Sequence, residues 1–245
     1  MSVDGDIATI TLDRPERRNA LDANAAAELR RAVEGMGARV CVLTGAGDAF
    51  CAGGDLEELQ RWAELPKDEI ASVLYDSFQG VVRALRASDT IFIAAINGAA
   101  VGAGLDVALA CDLRVAADNA RLGQVWVRLG VIPGTGGAWL SYALAGPTKA
   151  AEMLLTGDLV SAQDVRDAGL VNEVVTAREL MSAARSWAEK ILRHPPDGVI
   201  ANKRALVAAS DAGLEAALEH AREIQPERFT SEEFKAAVRA ARSRA

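Results

Sequence analysis

The stretch Ile91–Asp118, IFIAAINGAAVGAGLDVALACDLRVAAD, constrains this chain more than any other. Its first six residues are all apolar, as in a buried strand, and Asn97-Gly98 ends them. The run then passes through Gly102 and Gly104 into a helix pattern carrying Leu105, Val107, Ala108, Leu109 and Cys111. Glycines at a strand-to-helix junction let another backbone or a ligand approach closely. They also leave the first N–H groups of the helix free to bind negative charge. Asp106, within this apolar run, stands about one helical turn from those groups. Such an acid either complements the helix N-terminus, worth about 0.3–1 kcal/mol, or moves protons beside an anion held at the N–H groups.

Around this stretch the chain alternates. Ile7–Leu12 has strand spacing, with Asp4-Gly5 as a turn before it. A basic loop, Asp13–Leu21, follows, and Asp22 can cap a helix with Leu29, Val33 and Met36 on its apolar face. Its Arg14, Arg17 and Arg18 are either a solvated loop or an anion-binding patch. Arg39–Thr44 has the composition of a buried strand and runs into Gly45-Ala46-Gly47. A dinucleotide fingerprint fails there, because its third glycine falls on Phe50 with no helix beginning. Ile70, Val73, Leu74, Phe78, Val81, Val82 and Leu85 share one helix face. Leu113–Ala116 and Leu170–Val175 are further strands. Pro147 starts one helix, and Ser161-x-x-Asp164 starts another that Gly169 stops. After about Thr176 the pattern is helical only, over 177–193, 197–208, 211–223 and 231–244, with breaks at Pro195-Pro196 and Pro226. Strands with interleaved helices, then helices alone, predict an α/β core over 1–176 and a helical region over 177–245.

Composition narrows the function. The 245 residues are 50% hydrophobic and 25% charged, enough for one sizeable core without staples. A net charge of −7 and only 4% aromatic residues argue against nucleic acid as a partner. His194 and His220 both fall late in helical patterns, which gives poor support to a hydrolase triad or a metal site. Cys41, Cys51 and Cys111 all lie in apolar surroundings, as free thiols in a reducing compartment would. Asp4 and Asp6 interrupt any targeting pattern, and Asp89 and Asp106 bound the longest apolar candidate for a membrane span. A cytoplasmic protein, with neither membrane nor metal as partner, is expected.

Four segments together resemble the crotonase superfamily, the enoyl-CoA hydratase/isomerase family. They are Arg14-Pro-x-x-x-Asn19-Ala-Leu, Gly45-x-Gly-x-Ala-Phe50-Cys-Ala-Gly-Gly-Asp55, Asn97-Gly-x-Ala-x-Gly-x-Gly-Leu-Asp106 with Ala110-Cys-Asp112, and Gly123-Gln124…Leu129-Gly130…Pro133-Gly-x-Gly-Gly137. They occur in the family's order and span nearly the whole chain. The resemblance implies an α/β spiral of strand-strand-helix turns, with C-terminal helices that make a homotrimer or a dimer of trimers. It implies an acyl-CoA thioester as ligand, with coenzyme A part of the substrate and no separate cofactor. The thioester oxygen would lie between the N–H groups of Gly54 and Ala103, donors suited to an enolate. Ala52, Gly53 and Asp55 would line the substrate, and a side chain at Gly53 or Gly54 would crowd it. Arg17 and Arg18 would lie near the coenzyme A phosphates, and Arg244 resembles a position that reaches the coenzyme of a neighbouring subunit.

The departures are as informative. Two glutamates orient a water and shuttle a proton in the family's hydratases. The first falls on Asp106, one methylene shorter; the second falls on Trp126, which cannot deliver a proton. No Asp or Glu occurs from Asn119 to Ala151. The downstream aspartate of dienoyl-CoA isomerases falls on Gly134, and the lysine that often follows the first oxyanion loop is Glu57. Trp126 is expected to shape the acyl pocket. Asp76 and Tyr142 either reach the pocket or, as is expected of each, stand as a surface acid and a core-edge tyrosine. One acid suits an isomerase, or a weak hydratase, better than an efficient hydratase. Decarboxylation or thioester hydrolysis through the same oxyanion hole needs no second glutamate either. A protein that binds acyl-CoA without turnover is the rival from another class.

Overall fold

The computed structural model describes residues 1–243. Gly5, at φ 60°, turns the chain so that Ser2–Asp4 (β1) pairs antiparallel with Ile7–Leu12 (β2). The remaining strands are Val40–Gly45 (β3), Ala49–Cys51 (β4), Ile91–Ile96 (β5), Ala99–Val101 (β6), Leu113–Ala117 (β7), Arg121–Gly123 (β8), Val160–Ser161 (β9) and Glu173–Val175 (β10). They form two sheets. One has the order β1-β2-β3-β5-β7-β10 and is parallel beyond its first pair; the other has the order β4-β6-β8-β9. The chain crosses repeatedly from the first sheet to the second and then into helix, β3 to β4, β5 to β6, β7 to β8. That is the strand-strand-helix winding expected of an α/β spiral.

The short strands β4, β6 and β8 were not legible as strands. Each is about three residues long, too short for a period to register. Their pairing requires backbones in contact. A Cβ on Gly98 would lie 1.9 Å from the Asp48 carbonyl, and one on Gly104 would lie 2.4 Å from that of Cys51. The motif asparagines tie the same loops. Asn19 Nδ2 donates to the carbonyls of Ala46 (2.9 Å) and Ala49 (2.8 Å). Asn97 Nδ2 donates to Gly47 (3.0 Å), and its Oδ1 accepts from the Gly45 N–H (3.1 Å).

Ten helices are described: Ala23–Glu34 (α1), Leu56–Trp62 (α2), Lys67–Leu74 (α3), Gly80–Ala87 (α4), Ala103–Ala110 (α5), Gly137–Thr156 (α6), Ala162–Asp167 (α7), Leu180–Leu192 (α8), Pro196–Phe229 (α9) and Glu232–Arg242 (α10). Asp22 caps α1 as expected, its side chain accepting the Ala25 N–H at 2.8 Å. Ser161 and Asp164 form a capping box on α7. Gly146, at φ 73° and ψ 172°, interrupts α6 just before Pro147, where a new helix was expected. All eight residues of α5 are buried. The main core gathers around it, and Cys41, Cys51 and Cys111 lie inside as free thiols.

Two sequence expectations change at the C-terminal end. The helices expected over 197–208 and 211–223 are one helix, α9, which also runs through Pro226. Gly213 is not a stop: a Cβ there would lie 2.2 Å from Trp139 Nε1, so the glycine admits the indole. Pro226 falls close to the helix end and removes a single N–H from the ladder. The strand expected over Leu170–Val175 is shortened to β10, because Arg114 takes the Leu170 carbonyl at 2.6 Å. Helix α8 turns Leu180, Ala184 and Ala188 against the outer face of the large sheet, over Val40, Val42, Ile93 and Val115. Among the described residues no helix is long and apolar enough to cross a membrane.

Candidate active site

The two glycine-rich loops named in the sequence meet. β4 and β6 pair in parallel, which sets Gly53 against the second loop: a Cβ on it would lie 2.8 Å from the Val101 carbonyl and 3.6 Å from the Ala103 nitrogen. Gly53 has φ 94°, a conformation open to glycine. Its carbonyl accepts the Leu21 N–H at 2.7 Å, while the Asp55 N–H donates back to Leu21 at 2.8 Å. Ala52 donates its N–H to Arg18 at 3.0 Å. The N–H of Gly54 between them has no acceptor among the described residues, and neither has that of Ala103, the first residue of α5. Both donors stand on loops that touch.

Asp106 lies one turn into α5, its N–H donating to Gly102 at 3.0 Å, and its side chain is fully buried. Gln124 Nε2 donates to its Oδ1 at 2.8 Å, and the Thr135 hydroxyl donates to its Oδ2. Burial pushes the carboxyl up to about 6, against the hydrogen bonds from Thr135 and Gln124 and the Gly137 N–H, which favour the anion. A Cβ on Gly137 would lie 2.0 Å from Asp106 Oδ1, so the glycine makes room for the carboxylate. Gln124 Nε2 also reaches Ser141 Oγ at 3.2 Å. Of Gln124 and Thr135, the sequence motifs name the first without a part and leave position 135 open. They stand 18 and 29 residues from Asp106 on other elements, and no local spacing joins them.

Trp126 sits in a short 3-10 helix, Val125–Leu129, and is 7% exposed. Its indole lies over Gly102: a Cβ there would be 3.7 Å from Cε2 and 3.9 Å from Nε1. It packs beside Gly102, the residue that precedes Ala103. Asp76 and Tyr142 are solvent-exposed, Tyr142 at 57%. Asp55 and Asp106 are both buried carboxylates by the loops, at 5% and 0% exposure; Asp55 is paired with Arg17, and among the described residues Asp106 has no cationic partner.

The basic loop is tied to the first glycine loop by ion pairs. Arg17 Nη1 is held by Asp55 Oδ2 at 2.7 Å and by Glu57 Oε2 at 3.3 Å. Asp55 also caps α2 through the N–H groups of Glu57 (3.0 Å) and Glu58 (3.3 Å). Burial would raise its carboxyl, but Arg17 and these N–H groups outweigh that and hold it below the usual range. Asp55 therefore fixes the first glycine loop to the basic one. Arg18 is exposed, with φ 49°. Arg244 lies outside the described residues. Among those residues no cluster of His, Cys, Asp and Glu suits a metal ion.

A family model for enoyl-CoA hydratase/isomerase matches residues 3–243. The chain belongs to this family. The 2,3-dehydroadipyl-CoA hydratase of Escherichia coli K12 is 35% identical over 222 residues, covering 89% of this chain and 85% of that protein. The short-chain-enoyl-CoA hydratase of Clostridium acetobutylicum is 33% identical over 242 residues, covering 97% and 91%. The crystal structure of an enoyl-CoA hydratase/isomerase from Mycobacterium paratuberculosis superposes with a TM-score of 0.89 at 30% identity, over 98% of this chain and 96% of that one. The two-sheet winding described above is thus the crotonase fold.

Proposed function

We propose that the protein is an acyl-CoA enzyme that forms a thioester enolate, with Gly54 and Ala103 as the oxyanion donors and Asp106 as its single acid and base. The observation that supports this reading is two unused N–H groups on touching loops, with the fully buried Asp106 carboxyl one turn along the helix from Ala103. Backbone donors fixed by packing need no reorganisation as charge develops on the thioester oxygen. An enolate held there has its α-carbon close to α5, and a carboxyl poised near 6 can both take and return a proton at neutral pH. The relatives named as hydratases support a 2-enoyl-CoA as the substrate class.

Substitution of Asp106 by Asn tests it. Turnover of crotonyl-CoA and of a 3-enoyl-CoA is expected to fall by about 10²–10⁴, the usual worth of a general acid–base group. Affinity for the same thioesters in calorimetry is expected to stay within a few-fold. Full activity in the variant removes Asp106 from the mechanism.

A second reading, an acyl-CoA-binding protein without turnover, is favoured by the complete burial of Asp106 and by the indole in place of a second carboxylate. A panel of crotonyl-CoA, a 3-enoyl-CoA and a malonyl-type thioester separates the two. Saturable binding with no product from any of them selects the carrier.

A further inference from the structure

We propose that the indole N–H of Trp126 is a substrate contact, donating to an oxygen on the β-carbon of the acyl chain: the hydroxyl of a 3-hydroxyacyl-CoA, or the water that becomes it. This rests on the proposed acyl-CoA function and assigns Trp126 more than the filling of space.

The argument begins with an unanswered donor. Trp126 Nε1 is buried and has no hydrogen-bond partner. Buried N–H groups in native proteins are almost always paired, and an orphan calls for an explanation. The indole edge that carries Nε1 faces Gly102, the residue immediately before Ala103. Gly102 has no side chain to interpose, and its φ of 52° disfavours one. The orphan donor therefore stands beside the loop proposed to hold the thioester oxygen, next to the residue that precedes Ala103, which favours the first carbons of the chain over its far end.

The choice of a hydroxyl follows from a second orphan on the same segment. Gln124 commits its Nε2 to Asp106 and Ser141, which leaves Oε1 buried without a donor. The segment Gln124–Trp126 thus offers one free acceptor and one free donor. A hydroxyl or water both donates and accepts, whereas an alkyl chain does neither. Apolar packing alone would have been served by Phe or Leu, which carry no N–H to bury.

Placed there, Trp126 supplies what a lone acid lacks. In dehydration, the Asp106 carboxylate takes the α-proton and the thioester becomes an enolate at Gly54 and Ala103. The C3–O bond then breaks, and the departing oxygen takes the proton from the Asp106 carboxyl, leaving as water and regenerating the carboxylate. Trp126 keeps its proton throughout. Its hydrogen bond orients the oxygen and stabilises the charge that builds on it as the bond breaks; hydration is the reverse.

Calorimetry with butyryl-CoA and with each enantiomer of 3-hydroxybutyryl-CoA tests this. The unaltered protein is expected to bind one hydroxy enantiomer roughly tenfold more tightly than butyryl-CoA, the worth of one good hydrogen bond. Trp126→Phe keeps an aromatic ring and removes the N–H. It is expected to abolish that preference while holding butyryl-CoA within about twofold, and to lower kcat for crotonyl-CoA hydration. Absence of a preference in the unaltered protein overturns the proposal even if the Phe variant fails to fold, and so does an undiminished preference in that variant. Failure of all three thioesters to bind overturns the acyl-CoA reading itself, a result distinct from binding without discrimination.

Discussion

Asp106 has two opposed demands on one carboxyl. Burial favours its neutral form and the donors around it favour the anion, with burial ahead. Its folded pKa of about 6 lies above the ordinary value of 3.8, so the stability it contributes is complete below pH 3.8 and is lost as pH rises through 6. Above that, the buried charge costs roughly 3 kcal/mol. Asp106→Asn is therefore expected to raise the melting temperature at pH 8 but leave it near unchanged at pH 4, as thermal denaturation at the two values would show. The variant can keep its contacts, because Gln124 can turn its unpaired Oε1 toward the new amide. If Asp106 acts first as a base, kcat/KM for dehydration is expected to climb with pH through about 6 and level off above it. A profile that is flat between pH 5 and 7 contradicts this. Trp126→Glu, which places a second carboxylate beside Gly102, is expected to raise hydration of a short 2-enoyl-CoA wherever the vacated space admits water; an inactive variant weighs less, for want of supporting contacts.

Elements show where sequence is a good guide and where it is not. β5, α1 and α7 were legible because their signals are local: an unbroken apolar run, Asp22 three residues before the N–H it caps, and Ser161 paired with Asp164. The meeting of the two glycine loops was legible only through resemblance. The hold on Asp106 was not legible at all, since Gln124, Thr135 and Gly137 reach it across three elements. Helix α9 was misdivided for the same reason, its glycine answering to Trp139 and not to its own backbone. What anchors α9 is also long-range. Lys203, 4% exposed, donates to the carbonyls of Leu85 (3.0 Å) and Thr90 (2.7 Å) and to Asp112 at 2.9 Å. Lys203→Met is expected to lower stability by about 3–5 kcal/mol in urea titrations, because it strands Asp112 and two carbonyls. Adding Asp112→Asn is expected to recover part of that loss; no recovery would mean that the carbonyl contacts, and not the ion pair, hold the helix.

For the molecule as a whole, the helical end of the chain serves the core as well as any assembly. α8 is a layer of the fold, closing the large sheet from outside, while Leu206 on α9 remains 74% exposed. A homotrimer or dimer of trimers, the assembly the sequence resemblance implies, predicts a solution mass in multiples of three chains by light scattering; a monomer at micromolar concentration refutes it. The three cysteines give a separate measure of the same body. Burial pushes the thiols of Cys41 and Cys51 up to about 12 and that of Cys111 higher still, each in a different strand or turn of the interior. None can meet a reagent until its surroundings open. A thiol-reactive dye therefore becomes a clock for opening: three equal rates would report the whole fold letting go at once, and a faster Cys51 would time the loosening of the glycine loops alone.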